Sequence, residues 1–245
     1  MENWIHPQAI IEDGTTLGKG LRIGAGAIVK TGAIIGDNVT ISEYAIIGGD
    51  PQDLGFDPAT PSGVTIGAGA TIREGATVHR STKVGGLTLI GPGAWLMANS
   101  HAAHDTVIGE RTILANGVLL GGHVAIGPHC FLGGNAVVHQ HTRVGEGAIL
   151  QGLAGISHDA PPFTIAAGVN RLAGLNLIGL RRRGFPGDVI ADLKACYHAV
   201  YRKPGNPVPL AAAHPAQTDE GRRFLAFFIT GRKGYLQPRA HRVST

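Results

Sequence analysis

The residue types that could do chemistry gather in one glycine-rich stretch of the chain. His104 stands next to Asp105, and further histidines, His101, His123 and His139, lie on either side of this pair. A neutral imidazole accepts a proton near neutral pH, and a neighbouring carboxylate fixes its tautomer and stabilises the imidazolium that forms. The pair is therefore a candidate general base.

The glycines beside these histidines indicate how a transferred group could be stabilised. Gly121 and Gly122 directly precede His123, and the backbone N–H groups of such a pair can bind an oxyanion. No serine or cysteine nucleophile in a recognised motif accompanies the histidines. Direct attack by a bound acceptor is therefore simpler than a covalent enzyme intermediate.

A six-residue repeat must position these side chains. Aliphatic residues occupy every sixth position from Ile5 to Ile47, and the repeat resumes after a break at residues 48–63. The second run extends to Ile156, includes Val84, and has an alanine at position 102 as its only weak member. This period fits neither an amphipathic helix nor simple strand alternation.

The period is typical of a parallel β-helix of hexapeptide repeats, and from the resemblance to known hexapeptide folds we expect a left-handed parallel β-helix. Three hexapeptides make one 18-residue coil, and the repeats predict roughly eight to nine coils spaced at the usual strand distance. Because residues 18 apart stack at the same corner, we expect His101, His104, His123 and His139 to meet in one cleft. His129 and His141 are predicted to be surface residues.

A metal site is the other role that a histidine cluster suggests. Carbonic anhydrases built on this coil use two histidines five residues apart, and no two of the 12 histidines here have that spacing. Cys130 and Cys196 have no CxxC partner, which argues against a thiolate zinc site and a disulfide scaffold. We expect no metal, and both cysteines are predicted to be small core residues.

The repeat fails from about Ser157, which predicts two domains. Residues 1–160 should form the β-helix and residues 161–245 a C-terminal helical domain. Within the second domain, helices are predicted over residues 172–183, from a capping Asp188 to a point before residue 204, and over residues 219–230. The intervening residues 205–217 are predicted to be a loop.

Charge divides the chain at the same place. Residues 1–160 carry 8 Lys and Arg against 13 Asp and Glu, whereas residues 161–245 carry 13 against 4, a net charge of +9. A basic domain favours anionic partners, and no nucleic-acid motif accompanies the basic residues. The chain has no apolar run of 18 residues and no signal-peptide pattern, so we expect a cytoplasmic protein without a membrane segment.

Several motifs together resemble one family, the UDP-N-acetylglucosamine acyltransferases that begin lipid A synthesis in Gram-negative bacteria. These motifs are SHAAHD at 100–105, GGHV at 121–124, AVVHQ at 136–140, PQDL at 51–54, DAPPF at 159–163 and GLRRRGF at 179–185. Their order and spacing match over nearly the whole chain.

The resemblance implies a homotrimer that moves a 3-hydroxyacyl group from acyl carrier protein to a hydroxyl of UDP-N-acetylglucosamine. The acyl group would be carried on the phosphopantetheine of the carrier, with no further cofactor. His104 matches the family's general base, Asp105 its carboxylate partner, and Gly122 the amide that stabilises the oxyanion. Substrate-binding positions are matched by Gln52, Asp53, His101, His123, His139, Gln140, Asn176, Arg182 and Arg183. Gly152 matches a position that limits the acyl chain length when it is bulky.

Two departures from the family pattern concern the acceptor. Gly55 stands where the family usually has a lysine, and Ile178 stands where it usually has an acidic residue. Two alternatives therefore remain open. One is the same acyl transfer to a different nucleotide sugar, and the other is a non-catalytic hexapeptide scaffold.

Overall fold

The chain winds into a three-sided parallel β-helix and ends in a strand hairpin and four helices. The computed structural model describes residues 2–202, 206–231 and 234–238. Each coil adds one short strand to each of three parallel sheets, and the strands pair in register, as Ile5 does with Ile23. The six-residue period therefore predicts the observed architecture.

The three sheets are called faces 1, 2 and 3, in the order in which the chain visits them. Face 1 contains Trp4–Ile5, Arg22–Ile23, Thr40–Ile41, Thr71–Ile72, Trp95–Leu96, Ile113–Leu114, Phe131–Leu132 and Ile149–Leu150, and continues with Thr164–Ala167, Arg171–Leu175 and Gln237–Pro238. Face 2 contains Ile10–Ile11, Ile28–Val29, Ile46–Gly49, Thr77–His79, His101–Ala102, Leu119–Leu120, Val137–Val138 and Gly155–Ile156. Face 3 contains Thr16–Leu17, Ala33–Ile35, Gly63–Ile66, Leu87–Ile90, Val107–Ile108, Ala125–Ile126 and Arg143–Val144.

Most hexapeptides bury two side chains rather than the one that the period reveals. The aliphatic residue and a small residue two positions before it are both buried, as Ala27 and Val29 show. Ala102, the weak member of the repeat, is also fully buried. Cys130 and Cys196 are buried and unpaired, as predicted, and burial raises the pKa of their thiols to about 12 and about 11.

Two coils are longer than 18 residues, and the sequence pattern reveals only one of them. Residues 50–62 leave the coil between faces 2 and 3 as a long loop. Ile66 pairs with Ile90, 24 residues further on, because residues 80–86 form a second excursion. Val84 lies on that excursion with 79% of its surface exposed, so its predicted place in the aliphatic ladder is wrong.

The C-terminal part contains four helices. They are α1 (Leu177–Arg182), α2 (Gly187–Tyr201), α3 (Pro207–Ala213) and α4 (Asp219–Ile229). The prediction of a helix over residues 219–230 is confirmed, and Phe224 and Phe228 on its apolar side are fully buried. No helix of the described residues is long and apolar enough to cross a membrane.

The predicted helix over residues 172–183 is half wrong. The strand Arg171–Leu175 pairs antiparallel with Thr164–Ala167 and extends face 1. The helix α1 begins only after Asn176, whose side chain accepts a hydrogen bond from the N–H of Gly179. Pairing with an existing sheet edge thus overrides the helical preference of the leucines and alanine in this segment.

Two further helix predictions need correction. Asp188 does not cap α2, because the helix follows Pro186 and the aspartate lies in its first turn. The described part of the segment predicted as a loop contains α3. Asn206 caps this helix through the N–H of Val208, and a proline occupies its first position, where a missing N–H costs nothing.

Arg143 joins the helices to the β-helix. Its Nε lies 2.7 Å from Asp159 Oδ2, and its Nη2 donates to the backbone carbonyl of Phe227 at 2.9 Å. The guanidinium also lies over the ring of Phe227, 4.2 Å from its centroid. Because Asp159 is buried, this arginine balances a charge that would otherwise be costly.

Candidate active site

The pair predicted from the sequence is hydrogen bonded. Nδ1 of His104 lies 2.9 Å from Oδ2 of Asp105, and the two side chains are only 14% and 7% exposed. An ionised carboxylate can only accept a hydrogen bond, so the proton of the neutral ring belongs on Nδ1. Nε2 is then the nitrogen with a free lone pair, which is the arrangement that a general base needs.

Asp105 is held by two hydroxyl groups that the sequence analysis missed. Ser81 Oγ donates to Oδ1 at 2.5 Å, and Thr82 Oγ1 donates to Oδ2 at 2.7 Å. Burial alone raises the pKa of Asp105, but the hydrogen bonds from Ser81, Thr82 and His104 outweigh it and hold the pKa well below its usual range. The carboxylate is therefore ionised at neutral pH.

The corner between faces 2 and 3 stacks the ionisable side chains. Asp105, His123 and His141 occupy equivalent positions with φ of 58°, 60° and 62°, where the first coils have Gly14 and Gly32. Few residues with a Cβ adopt this backbone region, although aspartate, asparagine and histidine are the most tolerant. The later coils thus accept a local conformational cost and place reactive side chains at this corner.

His123 links the base to the next coil. Its ring centroid lies 5.0 Å from that of His104, edge to face, and 4.4 Å from that of His141, nearly parallel. Burial lowers the pKa of His123, against the opposing effect of Asp105, and favours the neutral ring. His141 is exposed, as predicted, but it belongs to this stack.

Gly122 leaves the room that the His104 ring occupies. A Cβ on this glycine would lie 2.5 Å from Cε1 and 2.6 Å from Nε2 of the imidazole. Such separations are far below van der Waals contact, so a glycine is required for the observed ring position. Among the described residues, the N–H of Gly122 donates to no backbone or side-chain acceptor, which leaves it free for an oxyanion.

The dyad opens into a groove of about 610 Å³ along face 2. Its apolar part includes Leu119, Val137 and Gly155 from three successive coils. Its polar lining consists of Gln52, His101, His104, His139, Gln140, Ser157 and Asn170. The arrangement therefore presents a base at one side of a narrow apolar strip.

His101 and His79 form a second histidine pair beside the groove. Nδ1 of His101 lies 2.7 Å from Thr77 Oγ1, and its ring packs edge to face on His79 with centroids 4.6 Å apart. Burial and the neighbouring His104 lower the pKa of His101. Burial, together with the neighbouring His101 and His104, lowers the pKa of His79 to about 4. The neutral form of both rings is therefore favoured.

The remaining site residues predicted from the sequence do not line this groove within one chain. Asp53 lies on the exposed loop 50–62, and Gly152 lies at the corner between faces 1 and 2. Asn176 caps α1 and donates to the carbonyl of Gly147, at the corner between faces 3 and 1. Their predicted roles in substrate binding remain predictions.

Two of the three arginines of the GLRRRGF motif, Arg182 and Arg183, were predicted to bind substrate. Arg182 is exposed at the end of α1. Arg183 pairs with Glu146 at 3.2 Å and lies over the ring of Phe185, 4.8 Å from its centroid. Within one chain the Arg183 guanidinium is thus on a different edge of the prism from His104, and Arg182 precedes it in the chain.

The histidine cluster also offers ligand atoms for a divalent metal ion. His104, Asp105 and His123 offer ligand atoms that all lie within 4.8 Å of one another. However, Oδ2 of the aspartate already accepts hydrogen bonds from Thr82 and His104. The carboxylate is therefore arranged to orient an imidazole.

Family models match both parts of the chain. One described as "Udp N-acetylglucosamine O-acyltransferase; Domain 2" matches residues 159–236. A bacterial transferase hexapeptide model matches residues 14–49 and 87–122, and a model of the hexapeptide repeat of succinyl-transferase matches residues 123–153.

Curated relatives and solved structures agree with these matches. The acyl-[acyl-carrier-protein]–UDP-N-acetylglucosamine O-acyltransferase of Campylobacter concisus is 40% identical over 81% of this chain and 83% of its own length, and that of Verminephrobacter eiseniae is 36% identical over 95% and 99%. The solved structure of the Campylobacter jejuni UDP-N-acetylglucosamine acyltransferase, 33% identical, superposes with a TM-score of 0.82 over 96% of this chain and all of that one. The fold is thus the left-handed parallel β-helix, and the chain belongs to the family of acyl-[acyl-carrier-protein]–UDP-N-acetylglucosamine O-acyltransferases.

Proposed function

We propose that the chain transfers a 3-hydroxyacyl group from acyl carrier protein to a hydroxyl of UDP-N-acetylglucosamine, the first step of lipid A biosynthesis. The observation that carries the proposal is the hydrogen-bonded pair of His104 and Asp105 on the wall of an apolar groove. The names of the relatives given above state the same donor, acyl carrier protein, and the same acceptor, UDP-N-acetylglucosamine. The proposal includes a cytoplasmic location.

In the proposed reaction Nε2 of His104 removes the proton of the acceptor hydroxyl. The oxygen attacks the thioester carbonyl, a C–O bond forms, and the carbonyl electrons move onto the oxygen, where the N–H of Gly122 stabilises them. Collapse of this intermediate breaks the C–S bond, and the imidazolium returns its proton to the departing phosphopantetheine sulfur. Asp105 stabilises the imidazolium between these two steps.

The groove on face 2 suits the acyl chain. Leu119, Val137 and Gly155 lie on successive coils, about 4.8 Å apart along the axis, and form an apolar strip beside the base. An extended hydrocarbon lying parallel to the axis would cover this strip and remove its surface from water. No metal ion is used, and the donor brings its phosphopantetheine as the only prosthetic group.

The proposal includes a homotrimer. Asn176, Arg182 and Arg183 lie near a different corner of the prism from His104, so they can reach the same substrate only if a neighbouring copy supplies them. A guanidinium group suits a diphosphate, because it can donate two parallel hydrogen bonds to phosphate oxygens. The net charge of +9 on residues 161–245 likewise suits an acidic carrier protein.

A second candidate function is acylation of a different nucleotide sugar. Gly55 lies on the loop 50–62, whose residue Gln52 lines the groove, and Ile178 is 64% exposed on α1. Neither side chain carries a charge, so neither supplies the charged contact usual in the family. Replacement of Gly55 by lysine should increase turnover of UDP-N-acetylglucosamine if that contact is simply missing. Unchanged turnover, together with faster transfer to another sugar, would favour the second candidate.

Mass spectrometry of the products tests both candidates. The purified chain would be incubated with a panel of 3-hydroxyacyl carrier proteins and UDP-sugars. We expect a UDP-N-acetylglucosamine product heavier by one 3-hydroxyacyl group and a stoichiometric amount of free carrier thiol. Absence of acylated sugar for every pair would overturn the proposed acyl transfer.

A further inference from the structure

The excursion at residues 80–86 does more than lengthen one coil. Ser81 is fully buried at its start and donates to Oδ1 of Asp105. The N–H of Lys83 donates back to Ser81 Oγ at 3.0 Å, which fixes the rotamer of the serine. A Cβ on Gly86 would lie 2.2 Å from this same oxygen, so the glycine leaves the space that the hydroxyl needs.

Thr82 holds the second oxygen of the carboxylate. Its hydroxyl donates to Oδ2 of Asp105 at 2.7 Å, and its backbone N–H donates to the same atom at 3.2 Å. The backbone of the aspartate is fixed as well, because its N–H donates to Thr88 Oγ1 at 2.9 Å. Each carboxylate oxygen thus has its own hydroxyl donor, and the plane of the carboxylate is determined from both sides.

The orientation of this plane decides which imidazole the carboxylate serves. Oδ2 lies 2.9 Å from Nδ1 of His104, within hydrogen-bond distance, and 3.8 Å from Nδ1 of His123, which is too far for a hydrogen bond. A modest rotation of the carboxylate would exchange one partner for the other. The hydroxyl groups of Ser81 and Thr82 oppose that rotation, because each would lose a short hydrogen bond to a charged acceptor.

We propose that Ser81 and Thr82 are positioning residues, which fix the carboxylate of Asp105 on His104 rather than on His123. The inference rests on the proposed acyl transfer, in which His104 is the base. Neither hydroxyl residue lines the groove. Their loss should therefore lower kcat and leave KM for both substrates unchanged.

Thr82 offers a matched pair of variants. Thr82→Val keeps the shape of the side chain and removes the hydroxyl, whereas Thr82→Ser keeps the hydroxyl. A hydrogen bond to a charged group contributes enough that we expect kcat to fall about tenfold in Thr82→Val and in Ser81→Ala. Thr82→Ser should retain kcat to within about twofold.

Thr82→Val on an Asp105→Ala background separates a positioning role of the hydroxyl from a general structural role. If Thr82 acts through the carboxylate, Thr82→Val should have no further effect on kcat once Asp105 is removed. An equal loss in both backgrounds, or an unchanged kcat in Thr82→Val, would overturn the inference while leaving the acyl transfer of the unsubstituted chain in place. An unsubstituted chain that transfers no acyl group would instead refute the proposed function itself.

Discussion

Replacement of Gly122 by alanine should lower kcat by about 100-fold without unfolding the β-helix. The new Cβ would lie 2.5 Å from Cε1 and 2.6 Å from Nε2 of His104. Atoms in ordinary contact stay about 3.5–4.0 Å apart, so the imidazole must move by about 1 Å. A displacement of that size costs on the order of 100-fold in rate. Alanine keeps the backbone N–H, so the loss would report the displaced base.

Steady-state acyl transfer gives kcat and both KM values, and thermal unfolding measures the stability of each variant. Gly134→Ala is the matched control, because this glycine also lies at a corner of the coil and its added Cβ would come no closer than 3.5 Å to another residue. We expect the control to keep kcat within about twofold. A Gly122→Ala protein with the kcat of the unsubstituted chain would refute the argument that the His104 ring needs this space.

Three further variants test other parts of the molecule. Burial and two neighbouring histidines lower the pKa of His79 to about 4, so the unfolded chain binds the extra proton and stability falls as the pH drops from about 6.5 towards 4. His79→Gln should lose less stability than the unsubstituted chain between pH 7 and pH 5 in urea unfolding, and an equal loss contradicts this. Arg80 donates hydrogen bonds to Asp50 and to two backbone carbonyls of the loop 50–62. Arg80→Met should therefore speed proteolysis within the loop and raise KM for the sugar. Equal cleavage rates in the variant and the unsubstituted chain would show that Arg80 does not hold the loop. Gly152→Met should shorten the preferred acyl chain in a mass-spectrometric competition, and an unchanged preference would remove Gly152 from the acyl site.

The central part of the site could be predicted because the coil converts spacing into contact. Once three hexapeptides make one turn, residues 18 apart lie on adjacent coils. His104 therefore lies beside Gly122 and His123, as their spacing predicts. The strand pairing that produces this stack depends only on the period, which the sequence displays directly.

The excursion at residues 80–86 could not be predicted in the same way. An insertion of six residues leaves the repeat in phase, so Val84 fits the pattern although it lies in solvent. The longer loop 50–62 shifts the phase by one residue and is visible for that reason. Ser81 and Thr82 were missed because their contact with Asp105 depends on the hidden insertion.

The C-terminal errors have different physical causes. Arg171–Leu175 has the composition of a helix, but it pairs with the strand that precedes it, and sequence preference alone does not include that partner. The start of α3 carried a readable signal, since Asn206 followed by Pro207 is a favourable cap and first position. The proposed roles of Asn176 and of the arginines require a neighbouring copy, and they follow from the family resemblance alone.

The most direct test of the central claim is the rate of acyl transfer by His104→Ala. Removal of a general base typically costs about 100-fold or more, so kcat should fall by at least that factor while circular dichroism and the oligomeric mass stay unchanged. Acyl transfer at the rate of the unsubstituted chain, in a folded variant, would contradict the assignment of His104 as the base.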